Sequence, residues 1–413
     1  MKNLKLTIFF LLGALPMMAV DTGQKIFKNT VRSLSVTNPD NFMAPPVISL
    51  YGNEQLDINF DLIGNQHEYL KYRLIHCNAD WQPSLLMESE YLNGFNEVQV
   101  EDYAYSSNTY VHYVNYNIRI PDPQLPILAP GNYLLQVFPE NDPDEIWLQT
   151  RFSVSQDAAV VNGGMTTRTD RGVNSDYQQL FLNVDISALG NINPYQDLKL
   201  VITQNNRPET AKILTHPVRV QGDKVIFEHQ PDLLFEASNE YRRFETVRTD
   251  YPGMHVESVE FDGNIWNAYL STDYPRKNKE YSFDSTQHGR FKIDEYNASD
   301  PNLGSDYVLV HFTLDPPENV YGNIYVDGDF TNHQFSEENL MRYDWNDGLY
   351  HASIPLKQGS YNYQYVMSPE GGIPSTKFIE GNKYETQNEY LVKVFVTLPG
   401  ARADRLVGYT LIR

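Results

Sequence analysis

The sequence has very little cysteine and no excess of basic charge, and each shortage excludes something. Cys77 is the only cysteine among 413 residues, so an intramolecular disulfide is impossible. Lys and Arg together number 32 against 53 Asp and Glu, which gives a formal charge of −21. Because so acidic a chain repels phosphate groups, we expect neither nucleic acid nor an anionic membrane surface as a partner.

The sequence motifs of common catalytic sites are also missing. There is no Gly-x-x-x-x-Gly-Lys phosphate loop, no dinucleotide fingerprint, no Gly-x-Ser-x-Gly turn, no His-x-x-x-His and no Cys-x-x-Cys. We therefore expect no catalytic residues, no cofactor and no metal ion, and we do not expect an enzyme. Catalytic carboxylates need not be close in sequence, so a hydrolase stays open as an alternative.

His76 and Cys77 are the pair that could suggest a thiol enzyme. Neighbours in a strand point to opposite faces, so His76 cannot readily activate Cys77. We interpret Cys77 as a buried, unreactive thiol.

The apolar run of note is at the N-terminus. Lys2 and Lys5 precede the apolar residues 6–15, and Ala19 is a small residue at a plausible cleavage position. Residues 1–19 are therefore predicted to be a secretory signal peptide, with a buried segment or a retained anchor as alternatives. The run is short for a bilayer, so we predict export without direct membrane insertion.

What the chain has in abundance is alternation of apolar and polar residues with a period of two. This pattern is typical of strands that place one face on a core. It is clearest in residues 56–62, 114–120, 180–186 and 307–314. Long amphipathic helical segments are absent. We predict an all-β fold of tandem antiparallel β-sandwiches of immunoglobulin-like or early-set type.

Pauses in this pattern predict three domains after the signal peptide. They are an N-terminal β-sandwich at 20–157, a middle β domain with a linker at 158–300, and a C-terminal early-set-like sandwich at 301–413. A Gly-x-Tyr sequence precedes a late strand in the first and third domains, ending in Tyr133 and Tyr361. A tyrosine near this point fixes a corner of immunoglobulin-like sandwiches through its hydroxyl, so the repeat favours two sandwiches over one barrel.

The C-terminal domain carries a pattern of its own. Residues 325–332, Tyr-Val-Asp-Gly-Asp-Phe-Thr-Asn, resemble the early-set, glycogen-binding type of sandwich, in which a Trp follows and later aromatic residues stack on sugars. His333 stands at the Trp position here, which weakens the case for sugar. Asp329, Tyr343 and Trp345 remain candidate binding residues. A carbohydrate-binding or polysaccharide-handling periplasmic protein is therefore the alternative function.

Four segments carry a resemblance that covers almost the whole mature chain. Residues 75–81 (Ile-His-Cys-Asn-Ala-Asp-Trp), 90–95 (Glu-Tyr-Leu-Asn-Gly-Phe), 193–199 and 326–330 resemble the type IX secretion system plug protein family of Bacteroidetes. The resemblance implies a periplasmic protein at the inner face of the outer membrane. It also implies binding to the giant outer-membrane β-barrel translocon to close its periplasmic opening when cargo is absent, with other secretion-system subunits as further partners.

A plug needs rim loops with aromatic anchors for its partner. The loops at 81–84 and 90–95 have this composition, although ordinary loop packing explains it equally well. Trp81, Tyr91 and Phe95 are the candidate contact residues.

Overall fold

The computed structural model describes residues 22–413, and nearly every regular element in this range is a β-strand. The signal peptide predicted for residues 1–19 lies outside the described residues. The predicted all-β class with antiparallel sheets is confirmed. Two pairs of described strands run parallel, Val47–Ser49 with Leu148–Ser155 and Trp266–Leu270 with Tyr307–Leu314.

The first apolar core lies between two sheets built from residues before 156. The elements are β1 (Lys25–Ile26), β2 (Val31–Thr37), β3 (Val47–Ser49), β4 (Leu56–Ile63), β5 (Leu70–Cys77), the helical turn α1 (Glu88–Tyr91), β6 (Val98–Gln99), β7 (Asp102–Tyr105), β8 (Tyr113–Ile120), β9 (Gly131–Pro139) and β10 (Leu148–Ser155). One sheet has the order β1-β10-β9-β5-β6 with β3 beside β10, and the other has the order β2-β4-β8-β7. The predicted alternation holds, because Leu56, Ile58 and Phe60 are fully buried on the core side of β4.

The remaining strands continue to the C-terminus. Those up to residue 236 are β11 (Val160–Thr166), β12 (Arg168–Thr169), β13 (Gly172–Val173), β14 (Tyr177–Asp185), β15 (Leu198–Gln204), β16 (Lys212–Leu214), β17 (Arg219–Gln221), β18 (Lys224–Phe227) and β19 (Leu234–Glu236). Those that follow are β20 (Arg242–Glu245), β21 (Val256–Phe261), β22 (Trp266–Leu270), β23 (Phe291–Ile293), β24 (Tyr307–Leu314), β25 (Gly322–Asp327), β26 (Leu340–Asp344), β27 (Leu349–Lys357), β28 (Gly359–Pro369), β29 (Tyr390–Val396) and β30 (Arg405–Ile412), with the helical turn α2 (Pro301–Gly304) before β24. Single 3₁₀ turns lie at Ser187–Leu189, Pro208–Thr210, Pro231–Leu233 and Asp329–Thr331.

The second core takes its strands from two distant parts of the chain. One sheet has the order β11-β14-β18-β17 with β19 beside β14, and the facing sheet has the order β16-β15-β29-β30. In the facing sheet, Leu198–Gln204 pairs along its whole length with Tyr390–Val396. The third core is enclosed by nine strands in the order β20-β28-β25-β26-β27-β24-β22-β21, with β23 beside β28.

This packing differs from the domain limits predicted for the second half of the chain. Strands at 242–270 belong to the third core rather than to a middle domain ending at 300, because they pair with β28 and β24. Strands at 390–412 belong to the second core rather than to a C-terminal domain. We name the structural units by their cores: the first unit is residues 22–157, the second is 158–236 with 390–413, and the third is 237–389.

The repeated tyrosines fix equivalent corners in the first and third units. The hydroxyl of Tyr133 donates to the carbonyl oxygen of Ala129 at 2.7 Å, and the hydroxyl of Tyr361 donates to the carbonyl oxygen of Lys357. In both cases the acceptor lies four residues upstream and the ring is buried. This is the tyrosine-corner contact of immunoglobulin-like sandwiches.

Candidate functional site

Residues 76–81, which are the end of β5 and the turn after it, join the first unit to the second. Asn78 accepts a hydrogen bond from the backbone N–H of Asp404 at 3.0 Å, and the N–H of Ala79 donates to the Asp404 carboxylate at 3.0 Å. The ammonium of Lys199 approaches the same carboxylate at 2.9 Å. Because Asp404 is buried, these contacts are shielded from water. They fix the position of the second unit relative to the first.

Trp81 ends this segment and faces the inside of the junction. Its backbone has φ of 66°, in the left-handed region that non-glycine residues rarely adopt. The guanidinium of Arg151 lies 4.4 Å from the ring centroid and the ammonium of Lys393 lies 4.7 Å from it. The tryptophan predicted for partner contact therefore places its ring beside two cations of its own chain.

Lys393 is a buried basic residue in β29, whose other residues are apolar except for the terminal Tyr390. Its ammonium donates to Asn132 Oδ1 and to Ser153 Oγ, both at 3.2 Å. Among residues 22–413 no carboxylate lies within ion-pair distance of it. Burial and, secondarily, the nearby charge of Arg151 lower the pKa of Lys393 to about 7.

These residues line a cleft of about 490 Å³ where all three units meet. Its walls are largely apolar, and its polar wall includes the Trp81 and Lys393 pair. The apolar side chains come from the first unit, the second unit and the third unit: Leu34, Val36, Phe42, Val201, Leu391 and Phe291. A largely apolar concavity with a few converging polar groups is the usual form of a small-molecule site.

The lining of the cleft also contains a histidine, His333, that lies between two carboxylates. His333 Nδ1 lies 2.9 Å from Asp327 and its Nε2 lies 2.8 Å from Asp329. Burial alone would lower the pKa of His333, but the two carboxylates, Asp327 most of all, raise it well above its ordinary value. The residue at the expected Trp position is thus a structural cation. Asp329, a predicted binding residue, forms an ion pair with His333.

The aromatic pair of the third unit lies elsewhere. Tyr343 and Trp345 contact each other edge to face with ring centroids 4.8 Å apart, and Trp345 is 88% exposed. They line a separate depression of about 580 Å³ together with Arg342 and His351. The structure therefore brings Tyr343 and Trp345 together as a surface shelf and places Asp329 in a different cavity.

The two candidates in the 90–95 loop have opposite environments. Tyr91 is buried, and its hydroxyl donates to the carbonyl oxygen of Leu74 at 3.3 Å. Phe95 is 75% exposed, and Leu85 and Met87, from the neighbouring part of the same loop region, are also exposed. Phe95 is therefore available to a partner, and Tyr91 supports the loop from inside.

His76 and Cys77 do not form a reactive pair. His76 Nε2 donates to the carbonyl oxygen of Pro130 at 3.2 Å, and its Nδ1 lies 2.9 Å from Ser84 Oγ. Burial lowers the pKa of His76 and raises the pKa of the Cys77 thiol to about 12. The thiol is therefore neutral at physiological pH, and the predicted burial of Cys77 is confirmed.

Sequence reasoning missed the buried charges that hold the units together. Lys393 and the pair Asp61 and Lys357 each stand in strands that alternate or run apolar, where a charge is unusual. A single charged residue within an apolar or alternating strand could have been noticed in the sequence. The sequence does not show which distant residue is its partner.

Two further searches covered the described part of the chain. Within residues 22–413, no group of three or more His, Cys, Asp or Glu side chains is placed to hold a metal ion. In the same range, no helix has the length and hydrophobicity needed to span a membrane.

Comparisons with known proteins agree with the segments quoted from the sequence. Residues 31–156 match the family model described as the type 9 secretion system plug protein first domain. The crystal structure of a hypothetical protein from Parabacteroides merdae superposes with a TM-score of 0.92 at 36% identity, covering 95% of this chain and 99% of that one. No curated protein matches.

Dimeric latent PorU from Porphyromonas gingivalis also aligns, over 93% of this chain and 34% of its own, at 11% identity. Its TM-score of 0.13 is too low to indicate a shared fold. The family model covers the distinctive segment 76–81, and the Parabacteroides merdae protein shares the arrangement of the three units. The chain therefore belongs to the type IX secretion system plug protein family, which gives it a role related to type IX secretion.

Proposed function

We propose that this protein binds the giant outer-membrane β-barrel translocon of the type IX secretion system and closes its periplasmic opening when cargo is absent. The observation that supports this most directly is that buried polar contacts join the three units to one another. The ion pair of Asp61 and Lys357 joins the first unit to the third, and Asp404 joins the second unit to the first. A body that must block a wide pore has to resist deformation, and such contacts between units limit their relative motion.

The exposed residues of the first unit supply the contact surface in this proposal. Leu85, Met87 and Phe95 are between 62% and 75% exposed at one end of the first sandwich. Apolar and aromatic side chains in a polar surrounding are typical anchors of interfaces that form and dissociate. The protein acts here by binding rather than by catalysis, at the periplasmic face of the outer membrane, and other secretion-system subunits are further partners.

A pull-down from detergent-solubilised outer membranes tests the proposal. The tagged protein should recover a very large outer-membrane barrel, and adding the protein should lower the conductance of that barrel in a planar bilayer. Recovery without any change in conductance would show a partner of the translocon rather than a plug.

Substitutions on the exposed loop test where the contact lies. Met87→Asp and Phe95→Asp should each reduce recovery of the barrel, because a charge would have to be buried at the interface. Ile373→Asp is the matched control, since Ile373 is 81% exposed on the third unit. Equal recovery by all three variants would place the contact on another surface.

A second candidate function rests on the Tyr343 and Trp345 shelf. The exposed Trp345, supported by the half-buried Tyr343, is a surface on which a sugar ring can stack, so the alternative is a carbohydrate-binding protein acting through the third unit. A glycan array with the purified protein tests it. Binding that is lost in Trp345→Ala would support this alternative, and the absence of any retained glycan would remove it.

A further inference from the structure

The cleft at the junction of the three units has the composition of a ligand site. We propose that it binds a small amphipathic carboxylate, with the carboxylate beside Lys393 and Trp81 and the apolar body against the walls of the cleft. This site is separate from the exposed loop with Phe95, so the proposal does not depend on whether the protein seals a barrel.

The charge balance of the lining is the first argument for an anion. Four cationic side chains line the cleft: Lys393, Arg151, Arg290 and His333. The lining carboxylates are Asp80 and Asp329. Because Glu389, Asp327 and Asp329 pair with Arg290 and His333, Lys393 is the cation of this lining that an anion would approach.

Most of these charges already have partners within the protein. Arg290 is paired with Glu389 at 2.5 Å, and Asp329 receives His333. Asp80 is exposed and accepts the N–H of Gln82 at 3.1 Å, so it shapes the rim of the cleft. Lys393 remains as a buried ammonium whose polar contacts are neutral oxygens.

The contacts of Lys393 show which hydrogen-bond acceptor its ammonium group still lacks. An ammonium has three N–H donors, and Asn132 and Ser153 accept two of them. Arg151 lies 4.4 Å from the centroid of the Trp81 ring, and its guanidinium donates to the carbonyl oxygen and the hydroxyl of Thr22. A carboxylate oxygen in the cleft would accept the remaining donor and compensate a charge whose burial is otherwise costly.

The walls determine the rest of the ligand. Leu34, Val36, Phe42, Val201 and Leu391 offer no hydrogen-bonding side chains, and the volume of about 490 Å³ is within the range of roughly 300–1,000 Å³ found for small-molecule sites. A molecule with an apolar body and one terminal carboxylate satisfies both parts of the cleft.

Titration calorimetry with decanoate tests the site, with decanol and decyltrimethylammonium as matched ligands of the same chain length. Decanoate should bind at least tenfold more tightly than either. Lys393→Met should lose at least tenfold in affinity for decanoate, whereas Lys377→Met, which removes an exposed lysine of the third unit, should leave it unchanged. Equal binding by decanol, or undiminished binding by Lys393→Met, would overturn the proposal.

Two more measurements keep the test independent of the folding of Lys393→Met. Binding a carboxylate favours the charged amine, so decanoate should bind with proton uptake at pH 8, seen as a dependence of the heat on the buffer. Ala211→Trp, at an exposed position in the lining, should fill the cleft and also reduce affinity at least tenfold. Binding without proton uptake, or unaffected by Ala211→Trp, would show that decanoate binds elsewhere.

Discussion

Lys357 donates to Asp61 at 2.7 Å across the interface of the first and third units, and neither side chain is more than 1% exposed. The hydroxyl of Tyr307 and the amide of Asn115 also donate to this carboxylate, each at 2.7 Å. The ammonium of Lys357 additionally donates to the carbonyl oxygen of Asn302 at 2.6 Å. Burial lowers the pKa of Lys357, and Asp61 offsets part of that effect. The ion pair is therefore buried and both of its groups make further hydrogen bonds, which is the arrangement that a buried pair needs to be stable.

Breaking this pair should destabilise the protein strongly. Asp61→Asn or Lys357→Met leaves one buried charge without its partner, at a cost of about 3–5 kcal/mol in the free energy of unfolding. Asp57→Asn is the control, because its pair with Arg119 is more exposed and worth no more than about 1 kcal/mol. Urea unfolding measures all three. A loss in Asp61→Asn no larger than in Asp57→Asn would contradict the expectation.

The tyrosine corners should each contribute one buried hydrogen bond. Tyr133→Phe and Tyr361→Phe remove only the hydroxyl, and each should lower the free energy of unfolding by about 1 kcal/mol, since one hydrogen bond of a buried hydroxyl is lost. Tyr51→Phe is the matched control, because that side chain is 80% exposed. Thermal unfolding of the three variants is the measurement. Identical midpoints for Tyr133→Phe and Tyr51→Phe would rule out a stabilising corner.

His333 should make stability depend on pH in a defined direction. Its native pKa is raised well above the unfolded value of about 6.5, so the folded state holds a proton that the unfolded chain releases above that pH. The contribution is complete below pH 6.5 and is lost as pH rises through the native pKa.

Comparing the wild type with His333→Gln isolates this contribution. The stability gap between them should be largest near pH 5.5 and should narrow steadily toward pH 9. His216→Gln is the control for the removal of an exposed histidine. A constant gap for His333→Gln over the same range would contradict a buried imidazolium.

Cys77 should be unreactive in the folded protein. It is buried and its pKa is raised to about 12, so almost no thiolate is present at pH 8. Iodoacetamide at pH 8 should leave the native protein unmodified and should label one site per chain in 6 M guanidinium, as counted by intact mass. Rapid labelling of the native protein would show that the thiol is accessible.

Some features of this protein are determined locally by the sequence. The alternation in residues 56–62 and 307–314 fixes both the strands and their buried faces, because side chains in a strand point alternately to its two sides. Tyr133 and Tyr361 reach an acceptor four residues away, so their corners also follow from the local sequence. The segment 76–81 is distinctive enough in the sequence alone to indicate the family.

Only the tertiary structure decided which distant strands pair and what the buried charges contact. Strand β29 lies beside β15 rather than in the third unit, because alternation specifies which face is buried and not which sheet covers it. For the same reason the sequence placed Trp81 on a surface loop, although its ring lies beside Arg151 and Lys393. Lys393 lies 261 residues from its acceptor Asn132, and no local pattern encodes a contact over that separation. The cleft exists because three cores meet there, so it is a property of their packing.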